Sequence, residues 1–372
     1  MKEQNLVLYR KYRPENFAEI VGQNHIVRTL NNAISEGMVS HAYLFAGPRG
    51  TGKTTIARIL AKSVNCLNRK EKEWEPCNKC SSCLEISQGK SIDLIEIDAA
   101  SHRGIDEMRD LRDGIKFSPT KSRYKVFIID ECHQLSKDAA NALLKTLEEP
   151  PAHAIFILAT TEIHKMIPTI ISRCQRFDFK KLTSKEIVQK LKTIIKKEKA
   201  SIEDRALDMI ALNSEGSIRD AEGFLDQALI FAGFEKEKEI KMEDIKDLLG
   251  LVEINTVAKL VDFIAEKNSR GAIDFLSETL EKGYDPREFI KTLIEYLRQV
   301  LLFKIDSGSQ NPLLLSLSED EKTKFQTQIK SFEEKDILKM LNLFIEANEK
   351  MRYSSIIQLP LELAIIEVIN SR

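Results

Sequence analysis

The segment GPRGTGKT, residues 47–54, stands between an apolar run, AYLFA, and an amphipathic one, TIARILAKSV. It fits the spacing G-x-x-x-x-G-K-[ST], and few folds can use such a loop. Its backbone N–H groups must converge on an anion at the point where a buried strand hands over to a helix. Gly47, Gly50 and Gly52 permit the backbone conformations that turn successive N–H groups toward phosphate oxygens. Pro48, Arg49, Thr51 and Thr55 complete the cradle. Lys53 is placed to reach the β and γ phosphates of a bound ATP, and the Thr54 hydroxyl to ligate Mg²⁺.

The surrounding pattern supplies the strands and helices that such a loop needs. HAYLFAG, SIDLIEID, KVFIIDE and AIFILATT are four apolar runs rich in β-branched residues, separated by amphipathic stretches. That alternation predicts an α/β domain with a parallel sheet covered on both faces. KVFIIDECH ends in Asp130 and Glu131. An aspartate there can hold the Mg²⁺ shell, and the next glutamate can orient or deprotonate water for attack on the γ-phosphate. After Asp178 the period changes to that of helices, beginning with Thr183 and Glu186 at capping-box spacing. The charged connector FEKEKEIKMED (234–244) leads to further helices up to Arg372. Three domains are expected: 1–180 around the phosphate loop, a small helical domain over 181–244, and an all-α domain over 245–372.

Charge gives little direction. The chain has 372 residues with 56 basic against 57 acidic, so no global field draws it to nucleic acid or an anionic membrane. Any DNA contact must come from a local patch. The start has no apolar segment of the kind a signal peptide needs, and nowhere do roughly 18 apolar residues run together. A cytoplasmic protein without membrane attachment is expected.

Cys66, Cys77, Cys80 and Cys83 follow the spacing C-x10-C-x2-C-x2-C. In a reducing compartment this predicts four thiolates on one structural, tetrahedral Zn²⁺. Unliganded thiols and an iron–sulfur cluster are the alternatives, the latter disfavoured because nothing else suggests electron transfer. Cys132 and Cys174 read as packed thiols.

With these residues in hand, the chain resembles the AAA+ ATPases, and within them the tau/gamma subunits of the bacterial DNA polymerase III clamp loader. The carrying segments are LYRKYRPENFAEIVGQ, HAYLFAGPRGTGKTTIARILAKSVNC, EIDAASHRGIDEMRDL, IIDECHQLSKDAANALLKTLEEPP, ILATTEIHKMIPTIISRCQRF and EGSIRDAEGFLDQ. The resemblance implies that 181–244 is a lid and that the helices from 245 form an oligomerisation collar. Thr161, favoured over Thr160, corresponds to the first sensor. Arg173 in SRC corresponds to the arginine finger inserted into a neighbour's ATP site, and Arg219 in GSIRDA to the second sensor. Arg10 and Tyr12 in YRKYRP fall in the segment that encloses adenine, and the cysteine insertion is one that family members carry.

The implied activity is Mg²⁺-dependent ATP hydrolysis that opens a sliding clamp and loads it onto primer–template DNA. It would take place in a five-subunit ring with delta, delta-prime and further copies of this chain. Ser101, His102, Arg103 and Lys137 are the candidates for tracking DNA phosphates. Two other readings share parts of this pattern. A junction-migrating helicase or replication initiator would not be expected to carry SRC or the cysteine insertion. A structural clamp-loader subunit would lack the complete phosphate loop found here.

Overall fold

The computed structural model describes residues 6–101, 114, 115, 117–233, 239–250, 252–305, 328 and 330–371. Its contacts divide the chain into two compact units, 1–242 and 243–372.

The first unit is built on a five-stranded sheet whose strands are β1 (Ala42–Ala46), β2 (Leu94–Asp98), β3 (Lys125–Asp130), β4 (Ala154–Thr160) and β5 (Gln175–Asp178). All pairings are parallel, in the order β2-β3-β4-β1-β5, with Ala42 opposite Phe156 and Leu94 opposite Val126. Every residue of β1 and β4 is buried. Helices cover both faces, so polar alternation is not needed on either side.

The two-residue period still sorts side chains between two cores. Tyr43, Phe45, Val126, Ile128, Ile155 and Ile157 pack with Ile26, Leu30, Ile56 and Leu60, whereas Leu44, Phe127, Ile129, Phe156 and Leu158 pack with Ala139, Leu143 and Leu147. The helices Asn24–Ser35 and Lys53–Asn65 thus close one face, and the helix Lys137–Glu148 the other. The four strands foreseen from the apolar runs are present. The fifth was not foreseen, because QRFD buries only Phe177 and offers no apolar run.

Beyond β5 the first unit continues as the helices Ser184–Glu198, Asp204–Asn213 and Ile218–Phe231. The first opens with the reciprocal cap expected from its sequence. Thr183 Oγ1 accepts from the Glu186 N–H at 3.3 Å, and Glu186 Oε2 accepts from the Thr183 N–H at 2.8 Å.

The second unit is all helical where described: Ile254–Ala265, Ser269–Glu281, Pro286–Ile305, Glu334–Lys350 and Leu359–Asn370 follow the short helix Met242–Leu249. Each of the five longer helices contributes residues three or four apart to one core, as with Phe289, Leu293, Tyr296 and Val300, or Ile337, Met340, Leu341 and Phe344. Among the described residues, no helix is long and apolar enough to cross a membrane.

Candidate functional site

The carboxyl ends of the parallel strands open onto a cavity of about 640 Å³, within the range of small-molecule sites. The loop after β1 forms one wall. Gly47 has φ +148° and Gly50 φ +74°. A Cβ on Gly47 would lie 2.5 Å from the Phe179 carbonyl oxygen, and one on Gly50 would lie 1.9 Å from Ser217 Oγ. The loop is therefore pinned between the end of the sheet and the start of the helix Ile218–Phe231, whose Ile218 N–H donates to the Gly50 carbonyl at 3.2 Å. The helix Lys53–Asn65 starts against the cavity and brings its free N–H groups and positive dipole end to it.

Residues 49–55 all line the cavity. Gly47 and Pro48 contribute their carbonyls instead, each accepting from Lys53 Nζ at 2.8 Å. Lys53 is buried, and burial pulls its ammonium below the usual lysine range against the opposing pull of Glu131 and Asp130. Thr54 Oγ1 donates to Asp130 Oδ2 at 2.7 Å, joining the loop to the end of β3. This hydroxyl and carboxylate are hard oxygen donors, side by side at the cavity floor, and they fit a Mg²⁺ bound with phosphates.

Glu131 also lines the cavity, in the left-handed region at φ +48°. Its Oε2 accepts from Thr161 Oγ1 at 2.8 Å and from the Thr161 N–H at 3.2 Å. The Thr160 hydroxyl is fully buried and is engaged by His133 Nδ1 at 3.0 Å, while the same nitrogen lies 3.4 Å from Glu131 Oε2. Of the two threonines, Thr161 is the one that touches the glutamate. His133 escaped the sequence reading; its place two residues after Glu131 was the available signal.

The remaining candidates divide. Arg10 and Arg219 line the cavity, with the Arg219 guanidinium 4.8 Å and that of Arg10 5.9 Å from the centre of the Tyr9 ring. Tyr12 does not line it. Its hydroxyl donates to Glu198 Oε1 at 2.7 Å, and Tyr9 is the tyrosine of YRKYRP that faces the cavity. The reading of Tyr12 as an enclosing residue is corrected accordingly: packing against the helix Ser184–Glu198, which local sequence does not reveal, turns it away. Arg173 lies outside this chain's own cavity and is held by Glu148 Oε1 at 2.6 Å and by the Thr169 carbonyl at 2.8 Å. Arg13, Pro14, Ile20, Val21, Lys190 and Glu222 line the cavity without having been singled out.

Of the candidate DNA contacts, Ser101 donates its hydroxyl to Asp98 Oδ2 at 2.9 Å, and Lys137 is exposed at the start of its helix. His102 and Arg103 lie outside the described residues.

The sulfurs of Cys66, Cys77, Cys80 and Cys83 all lie within 4.8 Å of one another, and none is in a disulfide. Backbone N–H groups point at them: Cys77 N–H at Cys66 Sγ (3.3 Å), Lys79 and Cys80 N–H at Cys77 Sγ (3.4 and 3.3 Å), and Cys83 N–H at Cys80 Sγ (3.5 Å). Burial opposes ionisation of Cys77, but the N–H groups of Lys79 and Cys80 together with the neighbouring thiols of Cys66 and Cys80 outweigh it and bring the thiol down to about 6. Four convergent sulfurs with this donor pattern fit a closed tetrahedral metal site.

A parallel sheet in this order, with a phosphate loop after β1, paired acids after β3 and a three-helix lid, defines an AAA+ ATPase domain. A solved structure described as the Thermotoga maritima RuvB Holliday junction branch migration motor shares this fold at a TM-score of 0.50 and 23% identity, covering 68% of this chain and 80% of that one. Residues 22–183 match the family described as DNA polymerase III, delta subunit; 186–233 match the clamp loader subunit ATPase lid domain; and 240–372 match domain III of DNA polymerase III subunits gamma and tau.

Among curated proteins, the chain is 44% identical to DNA polymerase III subunit tau of Bacillus subtilis, over 97% of this chain and 62% of that protein. It is 37% identical to the gamma subunit of Buchnera aphidicola (subsp. Acyrthosiphon pisum), over 98% of this chain and 99% of that one. Against Escherichia coli tau it is 40% identical over 82% of this chain and 46% of the relative. The chain belongs to the gamma/tau family of DNA polymerase III clamp-loader subunits. It spans about three fifths of Bacillus subtilis tau and nearly all of the Buchnera gamma subunit.

Proposed function

We propose that this chain is the ATP-hydrolysing motor subunit of a bacterial DNA polymerase III clamp loader, acting in the cytoplasm to open a sliding clamp and close it on primer–template DNA. The observation that carries the reading is that Lys53, Thr54, Asp130 and Glu131 line one cavity, with Thr54 donating to Asp130 and Thr161, just outside the lining, donating to Glu131. A non-hydrolysing ring subunit would have no use for all five groups.

In this reading the loop N–H groups and Lys53 bind the triphosphate, and Arg219 contacts it from the lid. Thr54 and Asp130 would hold Mg²⁺, which supplies charge neutralisation on the β and γ phosphates. Glu131 orients water and takes its proton, and Thr161 fixes the carboxylate. Arg173, placed away from its own cavity, serves the site of a neighbouring subunit, where a finger is worth on the order of 10³-fold or more in rate. The four thiolates would hold Zn²⁺ in an architectural role. The organisation is a nucleotide-binding domain (1–180), a lid (181–244) and a collar (245–372), assembled with delta, delta-prime and further copies of this chain in a five-subunit ring. Lys137 and Arg103 are the proposed cations for DNA phosphates.

The test is transfer of a ring-shaped clamp to nicked or gapped circular DNA, followed by gel filtration. The assembly containing this chain should leave clamp on the DNA only when ATP is present, and the same assembly with Lys53→Ala should leave none. Loading without ATP, or loading unaffected by Lys53→Ala, would overturn the reading.

A further inference from the structure

The acid on the lid side of the cavity has no assigned role. Glu222 is 5% exposed and lines the cavity, yet it forms no hydrogen bond or ion pair with any described residue. Its neighbours do not neutralise it by contact. Lys190 Nζ donates to the Tyr12 carbonyl at 3.3 Å, and Arg13 contributes only long-range attraction. An unpaired buried carboxyl group costs free energy, and such groups are rare where no ligand is expected.

Its position narrows the ligand group. Glu222 lies one turn after Ile218 on the same helix face, and both line the cavity. Pro14, Ile20, Val21, Leu182 and Ile218 give the lining apolar surface suited to the faces of a purine. The helix starts against the phosphate loop, where the Ile218 N–H donates to the Gly50 carbonyl, so Glu222 stands one turn further along, beyond the loop. A buried carboxyl group on this lining, one turn beyond the phosphate loop, is matched by a donor on the edge of a flat base.

We propose that Glu222 is a specificity-determining residue that accepts a hydrogen bond from the exocyclic amino group of the bound adenine. This rests on the reading of the cavity as an ATP site. Burial raises the Glu222 carboxyl to about 7, so near neutrality the group is about half ionised, and in either form it keeps an acceptor oxygen. GTP is a poor probe, because a carboxylate can also accept from guanine N1–H and its 2-amino group. Purine riboside triphosphate differs from ATP by the amino group alone and is the suitable comparison.

Dissociation constants for ATP, purine riboside triphosphate and 2′-deoxyATP would be measured on the full chain and on Glu222→Leu and Glu222→Gln. The wild type should bind ATP about tenfold or more tightly than purine riboside triphosphate. Glu222→Leu should bind the two within about threefold while still holding purine riboside triphosphate, which also shows that the variant is folded. Glu222→Gln, keeping an acceptor oxygen, should retain most of the preference. Undiminished preference in Glu222→Leu, or no preference in the wild type, would overturn the contact and leave the ATP reading standing. Lost discrimination against 2′-deoxyATP alone would move Glu222 to the ribose and overturn the base assignment. Failure of the wild type to bind any of the three would remove the ATP reading itself.

Discussion

At Glu131 the carboxylate is held rather than left to solvent. Thr161 donates to it twice, and the His133 ring stands beside it, so its direction is set by the ends of two neighbouring strands. Glu131→Gln should therefore keep ATP affinity within a few-fold and lower turnover by on the order of 10²–10⁴, measured in parallel binding and single-turnover assays. Equal loss of both would make Glu131 a binding residue. Glu222 yields a pH prediction. Its carboxyl stands at 4.5 in the unfolded chain and is raised by burial to about 7 in the folded one. Below about pH 4.5 both states are protonated and there is no differential. Between there and about 7 the unfolded chain ionises while the folded one keeps its proton, so stability falls as pH rises through that window. The gain in Tm of Glu222→Leu over wild type should grow from pH 5.5 to pH 8, approaching an equivalent of about 3 kcal/mol. A pH-independent difference would mean that the acid is not buried in solution.

At the scale of elements, the cysteine segment is tied into the unit that carries the nucleotide cavity. The Glu75 carboxylate accepts from the Phe17 and Ala18 N–H groups at 2.8 and 2.9 Å. Lys62, buried on the helix that starts at the phosphate loop, donates to Asn78 Oδ1 at 2.7 Å and to the Glu15 carbonyl at 2.8 Å. Ser87, Gln88 and Gly89, just past the last cysteine, line the cavity. The purified chain should hold one zinc per molecule by atomic emission. Cys80→Ser with Cys83→Ser should abolish that content and lower Tm by on the order of 5 °C. Stoichiometric iron, or no metal with unchanged Tm in the variant, would contradict the zinc assignment.

Elements were the most legible part of the sequence. The period-2 and 3.6 patterns mark β1 to β4 and the helices, and Thr183 with Glu186 marks a helix start, because those signals are local. The phosphate loop and the acids of β3 were legible for the same reason. Tyr9 and Tyr12 were not separable, since both sit in one short turn and only the distant Glu198 decides which faces inward. Lys190 and Glu222 reach the cavity from helices more than 100 residues beyond the phosphate loop, so no window of sequence joins them to it.

At the scale of the whole molecule, Arg173 does not line the cavity of its own chain, and its side chain is 33% exposed, open to another subunit. If that is its use, Lys53→Ala and Arg173→Ala should each depress turnover severely in homogeneous assemblies. Mixed assemblies should recover activity wherever an intact site meets an intact finger. No recovery in any mixture would end the assignment in trans. Hydrolysis here is proposed to be coupled to placing a clamp on a primed junction. The most direct measurement is ATP turnover by this chain, assembled with companion subunits and a sliding clamp, on primer–template DNA and on blunt duplex at matched salt. Strong stimulation that requires both the clamp and the primed junction is expected. Equal stimulation by either DNA, or none, would contradict the coupling while leaving the ATP site in place.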